Sequence, residues 1–123
     1  VCVVALAHRD QGDDRRVVGF IGDGSYFYYP QSVYTAVREG LDMIFIVPNN
    51  DGYTILRDNT DELFGEGDHA YTATRFEPPM SVTDSARAYG AEARRVDEGE
   101  ELNEALREAT EEGVHVIDVA VHD

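Results

Sequence analysis

The chain contains no lysine and no tryptophan. Without lysine it lacks the residue on which a Walker-A loop, a pyridoxal phosphate Schiff base and a response-regulator receiver rest in their usual forms, and those readings fall away. A single cysteine, Cys2, excludes an internal disulfide and a cysteine-built zinc cluster, and is compatible with a reducing cytoplasm. Apolar runs reach only about six residues, against the ~20 a membrane helix needs, so no membrane partner is expected. Positive charge is scarce: 25 acidic residues face ten basic ones, all of them arginine, for a net charge of −15. Phosphate backbones demand basic patches, so nucleic acid is a poor partner. Heavy acidity without lysine points to a chain adapted to high salt, where screening relieves self-repulsion. The plainer alternative is an ordinary acidic cytosolic protein. Val1 to Ala7 is apolar but lacks the basic n-region of a signal peptide, and reads as the tail of a helix cut open. The expected location is cytoplasmic.

What is present alternates regularly. Arg16 to Ile21 reads as a buried strand, Pro30 opens a helix that Gly40 closes, and Met43 to Val47 is a near-continuous apolar strand of the kind covered on both faces. Tyr53 to Phe64 is an expected helix, and Gly65 to Met80 a loop punctuated by Pro78-Pro79. Ser81 with Asp84 starts a short helix ended by Gly90, and Glu92 to Val96 is a third strand. Glu100 to Glu112 is an amphipathic helix with Leu102, Ala105, Leu106 and Ala109 on one side, and Val114 to Val121 a closing strand. This order predicts one α/β domain over residues 1–123: a doubly wound, mostly parallel sheet with helices on both faces, cut short at its N-terminus.

Two strand ends carry most of the functional information. Gly22-Asp23-Gly24 follows the first strand and Asn49-Asn50 follows the second, with Asp23 and Asn50 27 positions apart. A right-handed βαβ crossover brings both to the carboxyl edge of a parallel sheet, where open α/β proteins bind ligands. A carboxylate and a carboxamide oxygen there are hard donors suited to Mg²⁺, which usually keeps substrate phosphates and water in its octahedron. Gly22 and Gly24 let the backbone turn sharply and offer N–H groups to an anion, Ser25 adds a hydroxyl, and a following helix aims its N-terminus at the same place.

Gly22-Asp23-Gly24-Ser25, the spacer, and the run from Asn49-Asn50-Asp51-Gly52-Tyr53 to Arg57 together resemble the thiamine diphosphate-dependent enzymes, whose signature is GDG followed at this spacing by NN. The likeness is to the diphosphate-binding domain of the benzoylformate decarboxylase and acetolactate synthase group. The resemblance implies thiamine diphosphate and Mg²⁺ as cofactors. Its metal ligands would be Asp23, the side chain of Asn50 and the carbonyl of Gly52, with Gly22, Gly24, Ser25 and Tyr53 along the diphosphate. Pyruvate and indolepyruvate decarboxylases share the wording NNDGYTI but follow it with a catalytic glutamate. Leu56 stands there instead, so Ile55 and Leu56 are expected in an apolar substrate pocket, and no catalytic acid or base is assigned to this chain. The family's activating glutamate belongs to a pyrimidine-binding domain, expected on a separate or missing segment, usually of a neighbouring subunit in a homo-oligomer. The implied activity is that of a 2-keto acid decarboxylase or carboligase. Two alternatives stand beside it: a non-catalytic fragment or subunit that uses the fold for assembly, and a nucleotide- or sugar-phosphate-binding domain with the GDG turn as a generic anion nest.

Other residues have plainer expectations. Asn49 caps the turn. Tyr26, Tyr28 and Tyr29 belong to a strand-to-helix connection packed at a subunit interface. The four histidines His8, His69, His115 and His122 lack metal-ligand spacing and are expected in solvent. Glu98, Glu100, Glu101, Glu111 and Glu112 form the solvated face of the last helix.

Overall fold

A computed structural model describes residues 1–67, 69, 71 and 73–121. The elements run α1 (Cys2–Asp10), β1 (Val17–Phe20), α2 (Asp23–Tyr28), α3 (Gln31–Arg38), β2 (Met43–Asn49), α4 (Thr54–Phe64), α5 (Val82–Ala88), β3 (Glu92–Val96), α6 (Gly99–Glu108) and β4 (Val114–Ala120). All strand pairs are parallel, in the order β1-β2-β4-β3. The chain steps from β1 to its neighbour β2, skips one place to β3, then returns to β4. With right-handed crossovers, that reversal puts α6 on the opposite face from the helices before it.

The alternation of β2 fills both faces. Met43, Phe45 and Val47 pack with Val114 and Val116 beneath Val33 and Ala36 of α3 and Val82 and Ala86 of α5. Ile44 and Ile117 face the other way, against Ala105, with Leu102 and Leu106 alongside on α6. Phe45 is 1 % exposed, so truncating it to alanine would cost about 3–5 kcal/mol. α6 packs mainly on β3 and β4 and reaches β2 at Ile44 and Ile46, but not β1. Val18 and Phe20, in register with Ile44 and Ile46, therefore stay 53 % and 75 % exposed. The expected doubly wound parallel sheet with helices on both faces is what the chain forms.

Four expectations need correction. The tyrosine run is not a plain connection: Asp23 to Tyr28 is itself a helix, seated by Tyr26, which is buried with its hydroxyl 3.3 Å from Ser85 Oγ, while Tyr28 and Tyr29 are exposed. The last helix stops at Glu108 rather than Glu112, because Ala109 is its final apolar contact and the Thr110 hydroxyl takes the Arg107 carbonyl. Glu111 and Glu112 are exposed but lie beyond it. His8, His69 and His115 are half-buried rather than in solvent: His69 Nε2 lies 2.6 Å from the Gly65 carbonyl and His115 Nε2 3.1 Å from that of Glu111. His122 lies outside the described residues. Ser81 caps α5 as its position implies, its Oγ accepting the Asp84 N–H at 3.1 Å.

Candidate functional site at the carboxyl edge of the sheet

β1 and β2 end side by side, and Ile21 N–H still donates to Ile46 O at 3.0 Å past the last β1 pair. Gly22 then turns the chain with φ −60° and ψ 153°, so that Asp23 opens α2 directly against the strand ends. On β2 the chain reverses after Asn49. Asn49 Oδ1 accepts the Asp51 N–H at 2.9 Å, an Asx turn that holds Asp51 in the left-handed region at φ 56°. Asn49 thus caps the turn and Asn50 projects from it.

The two motifs meet through a backbone bond. Gly52 N–H donates to Asp23 Oδ2 at 3.0 Å, and Asp23 is only 3 % exposed. Burial raises the Asp23 carboxyl above the ordinary carboxylate range, with the Asp51 charge adding to the rise and the N–H groups of Gly52 and Gly24 opposing it. A cation placed here would reverse that balance and hold Asp23 ionised. Asn50 presents the complementary donor. Its Nδ2 donates to Thr54 Oγ1 at 2.7 Å, while its Oδ1 is buried and accepts no hydrogen bond. A buried orphan carbonyl oxygen costs about 1–3 kcal/mol and invites an ion or a ligand donor.

A second segment clasps the turn. Tyr53 N–H donates to Thr74 O at 2.7 Å and Phe76 N–H to Asp51 O at 2.9 Å, flanking the Gly52–Arg75 bridge. The Gly52 carbonyl takes part in none of these bonds. Two glycines are required by close approach: a Cβ on Gly52 would stand 2.2 Å from Thr74 O, and one on Gly24 2.5 Å from the Tyr53 ring. Tyr53 lies over Gly24 and edge-on to Phe76, ring centroids 5.1 Å apart. Its phenol is pushed up by desolvation and by neighbouring Tyr28 and Asp23.

The expected residues therefore divide. Asp23, Gly24, Gly52 and Tyr53 are in direct contact, and Asn50 stands in the same turn. Ser25 faces a separate cavity of about 270 Å³ between α1 and α2. Ile55 and Leu56 are exposed on α4, which buries no residue in this chain. A cavity of about 320 Å³ opens beside Asn50, and Arg57, Arg75 and Arg95 reach its wall. Sequence reasoning missed the Thr74–Phe76 clasp and Asp118, a buried carboxylate in the closing strand that accepts the Asn49 Nδ2–H at 2.9 Å. Asp118 was findable, as the one acid in a closing strand made mostly of valine and isoleucine.

Among the described residues no three His, Cys, Asp or Glu side chains gather into a cage for a metal. A cation at this edge would draw on one carboxylate, one amide oxygen and backbone, leaving positions for ligand oxygens. That donor set suits a hard divalent ion carried by a phosphate better than a free-standing metal centre.

An open parallel α/β sheet with a glycine-flanked acid and an orphan amide oxygen at its carboxyl edge defines a phosphate-ligand domain. Residues 2–119 match the family described as "Thiamine pyrophosphate enzyme, C-terminal TPP binding domain", and the chain belongs to that family. It is 35 % identical over 113 residues to a protein of Mycobacterium tuberculosis named "Putative acetolactate synthase large subunit IlvX"; the match covers 88 % of this chain and 22 % of that one. A shorter match, 47 % identical over 53 residues, is to an alpha-keto-acid decarboxylase of Mycobacterium avium, covering 43 % and 9 % of the two chains. The benzoylformate decarboxylase structure from Polynucleobacter necessarius superposes with a TM-score of 0.84 at 31 % identity, over 96 % of this chain and 22 % of its own. The chain thus spans about a fifth of the length of the full-size relatives it matches.

Proposed function

We propose that this chain holds the Mg²⁺-diphosphate end of thiamine diphosphate within a 2-keto acid decarboxylase or carboligase. The observation that carries the assignment is Asn50 Oδ1, buried and without a hydrogen bond in the turn that also carries the Gly52 N–H to Asp23. Asp23, Asn50 Oδ1 and the Gly52 carbonyl would hold the ion. Gly24, with no side chain between the backbone and the Tyr53 ring, would let the diphosphate lie close, beside Gly22; Ser25, expected there as well, turns its side chain to the cavity between α1 and α2 instead. Thiamine diphosphate, when bound, supplies the electron sink that decarboxylation of a 2-keto acid needs. The residues named here would bind and orient the cofactor.

The decarboxylase and synthase names of the relatives, and their greater length, support a role as one part of a larger enzyme. Ile55 and Leu56, exposed on a helix that buries nothing here, are where the substrate pocket and a pyrimidine-binding domain, of the same or a neighbouring subunit, would close over this edge. We place the enzyme in the cytoplasm as a homo-oligomer. The test is calorimetric titration of the full-length protein with thiamine diphosphate or ADP, each with Mg²⁺ and with EDTA. Binding of thiamine diphosphate that requires Mg²⁺ and exceeds ADP binding is expected; equal binding of ADP would make the site a generic nucleotide nest and overturn the assignment.

A further inference from the structure

The ends of three strands are tied together by one polar chain, buried at Asp118 and Asn49 and open to solvent at Arg95, that no hydrophobic pattern requires. Arg95 on β3 donates from Nη1 to Asp118 Oδ2 at 3.2 Å, Asp118 on β4 accepts from Asn49 Nδ2 at 2.9 Å, and Asn49 on β2 accepts the Asp51 N–H at 2.9 Å. Asp118 is 2 % exposed and Asn49 4 %. A carboxyl group that buried is costly unless each oxygen is satisfied, and here each has a partner. Arg95 is also held by Asp97 at 3.1 Å, so the guanidinium is fixed from two sides.

An asparagine amide can sit either way round, and only its surroundings choose. Asp118, accepting from Arg95 on Oδ2, faces Asn49 with the acceptor Oδ1 and so takes the Nδ2–H end of Asn49. The carbonyl end must then face the Asp51 N–H. That orientation closes the Asx turn, sets Asp51 at φ 56° and leads the chain to Gly52, whose N–H reaches Asp23, with Asn50 held in the same turn. If Asn49 flipped, its NH₂ would face the Asp51 N–H, donor against donor, and the turn would open.

From this we infer that Asp118 is a positioning residue for the metal–diphosphate site: by fixing the orientation of Asn49 it sets the turn that carries the Asn50 and Gly52 oxygens. The inference rests on the proposed thiamine diphosphate reading and adds a residue 68 positions downstream of the NN motif. It touches neither ion nor cofactor.

The experiment compares full-length wild type with Asp118→Leu, Asp118→Asn and the double variant Asn49→Leu/Asp118→Leu. Three readouts are taken: Mg²⁺-dependent thiamine diphosphate affinity, melting temperature, and hydrogen exchange of the backbone across residues 50–53 without ligand. Groups that orient metal ligands typically change affinity 10–100-fold, so Asp118→Leu should raise the half-saturating Mg²⁺ concentration by about that factor and speed exchange across 50–53. Asp118→Asn keeps an acceptor for Asn49 and should stay within about threefold of wild type. Replacing both partners by apolar groups can restore stability, so the double variant should regain melting temperature without regaining affinity. A folded Asp118→Leu protein with wild-type affinity and unchanged exchange would overturn the inference, as would a double variant that recovers affinity together with stability. If Asp118→Leu does not fold, the double variant decides alone, wild-type affinity refuting. A wild type that takes up no thiamine diphosphate would remove the underlying reading and the positioning role with it. That failure is seen in the first titration, apart from any variant.

Discussion

Gly52→Ala offers a graded test of the clasp that builds the site. An ideal Cβ at Gly52 would stand 2.2 Å from the Thr74 carbonyl oxygen and 3.1 Å from Arg75 Cα. An ordinary C···O contact is about 3.3–3.6 Å, so the two segments must part by roughly 1 Å. The bonds Tyr53 N–Thr74 O and Phe76 N–Asp51 O, now 2.7 and 2.9 Å, would lengthen past useful range. Two neutral bonds at about 0.5–1.5 kcal/mol each, with weakening of the Gly52 N–H bond to the Asp23 carboxylate, give a loss of about 2–5 kcal/mol. The reduced freedom of alanine in the unfolded chain returns about 0.4–1 kcal/mol. The net, about 1–4.5 kcal/mol, corresponds to a melting temperature lower by roughly 4–18 °C for a domain of this size. Thermal unfolding followed by circular dichroism at fixed salt reads it, with Gly99→Ala as the control. Gly99 begins α6 and its Cβ would meet nothing, so that change should be neutral or stabilising by up to ~1 kcal/mol. A Gly52→Ala protein melting within about 2 °C of wild type, with cofactor binding intact, would refute the reasoning.

Asp23→Ala should abolish Mg²⁺-dependent thiamine diphosphate binding while the fold persists by circular dichroism, because a ligand is lost but the local negative charge falls; a folded variant with full cofactor retention would sink the assignment. The Arg15 side chain, bonded to both oxygens of Asp13, holds that carboxyl at about 2. A depressed folded value means that this pair supports the fold above the unfolded carboxyl value near ~3.9 and that its support fades as pH falls toward about 2. An NMR titration should show Asp13 in that low range, and Arg15→Ala should return it toward the ordinary one. Melting temperature should rise markedly between 0.1 M and 1 M KCl, as the Debye length drops from ~10 to ~3 Å and screens a net charge of −15; a flat response would argue against salt adaptation.

The β-α-β order and the strand ends were legible because each signal is local: apolar runs of strand length, Ser81 before a helix, and glycine or asparagine where the chain turns. The spacing of Asp23 and Asn50 carried the site, since a right-handed crossover leaves one place for both. Tertiary contacts supplied what was missed. Asp-Gly-Ser-Tyr-Phe-Tyr has poor intrinsic helix propensity, and α2 forms because Tyr26 reaches the core and Ser85. The polar stretch after Ala109 could continue a helix by propensity, but it has no apolar face to bury. The His69 and His115 rings fold onto nearby backbone carbonyls, which spacing does not reveal. The Thr74–Phe76 clasp pairs segments across a loop without periodicity, and only the bulk-free Gly52 hinted at it.

The most direct measurement is a crystal structure of the full-length protein with thiamine diphosphate and Mn²⁺ in place of Mg²⁺, the metal located by its anomalous scattering. The account predicts a single peak about 2.0–2.3 Å from an Asp23 carboxylate oxygen, Asn50 Oδ1 and the Gly52 carbonyl oxygen, with diphosphate oxygens completing the shell and Asn49 still turned toward Asp118. A metal held elsewhere, or at this edge without Asn50 Oδ1, would contradict it.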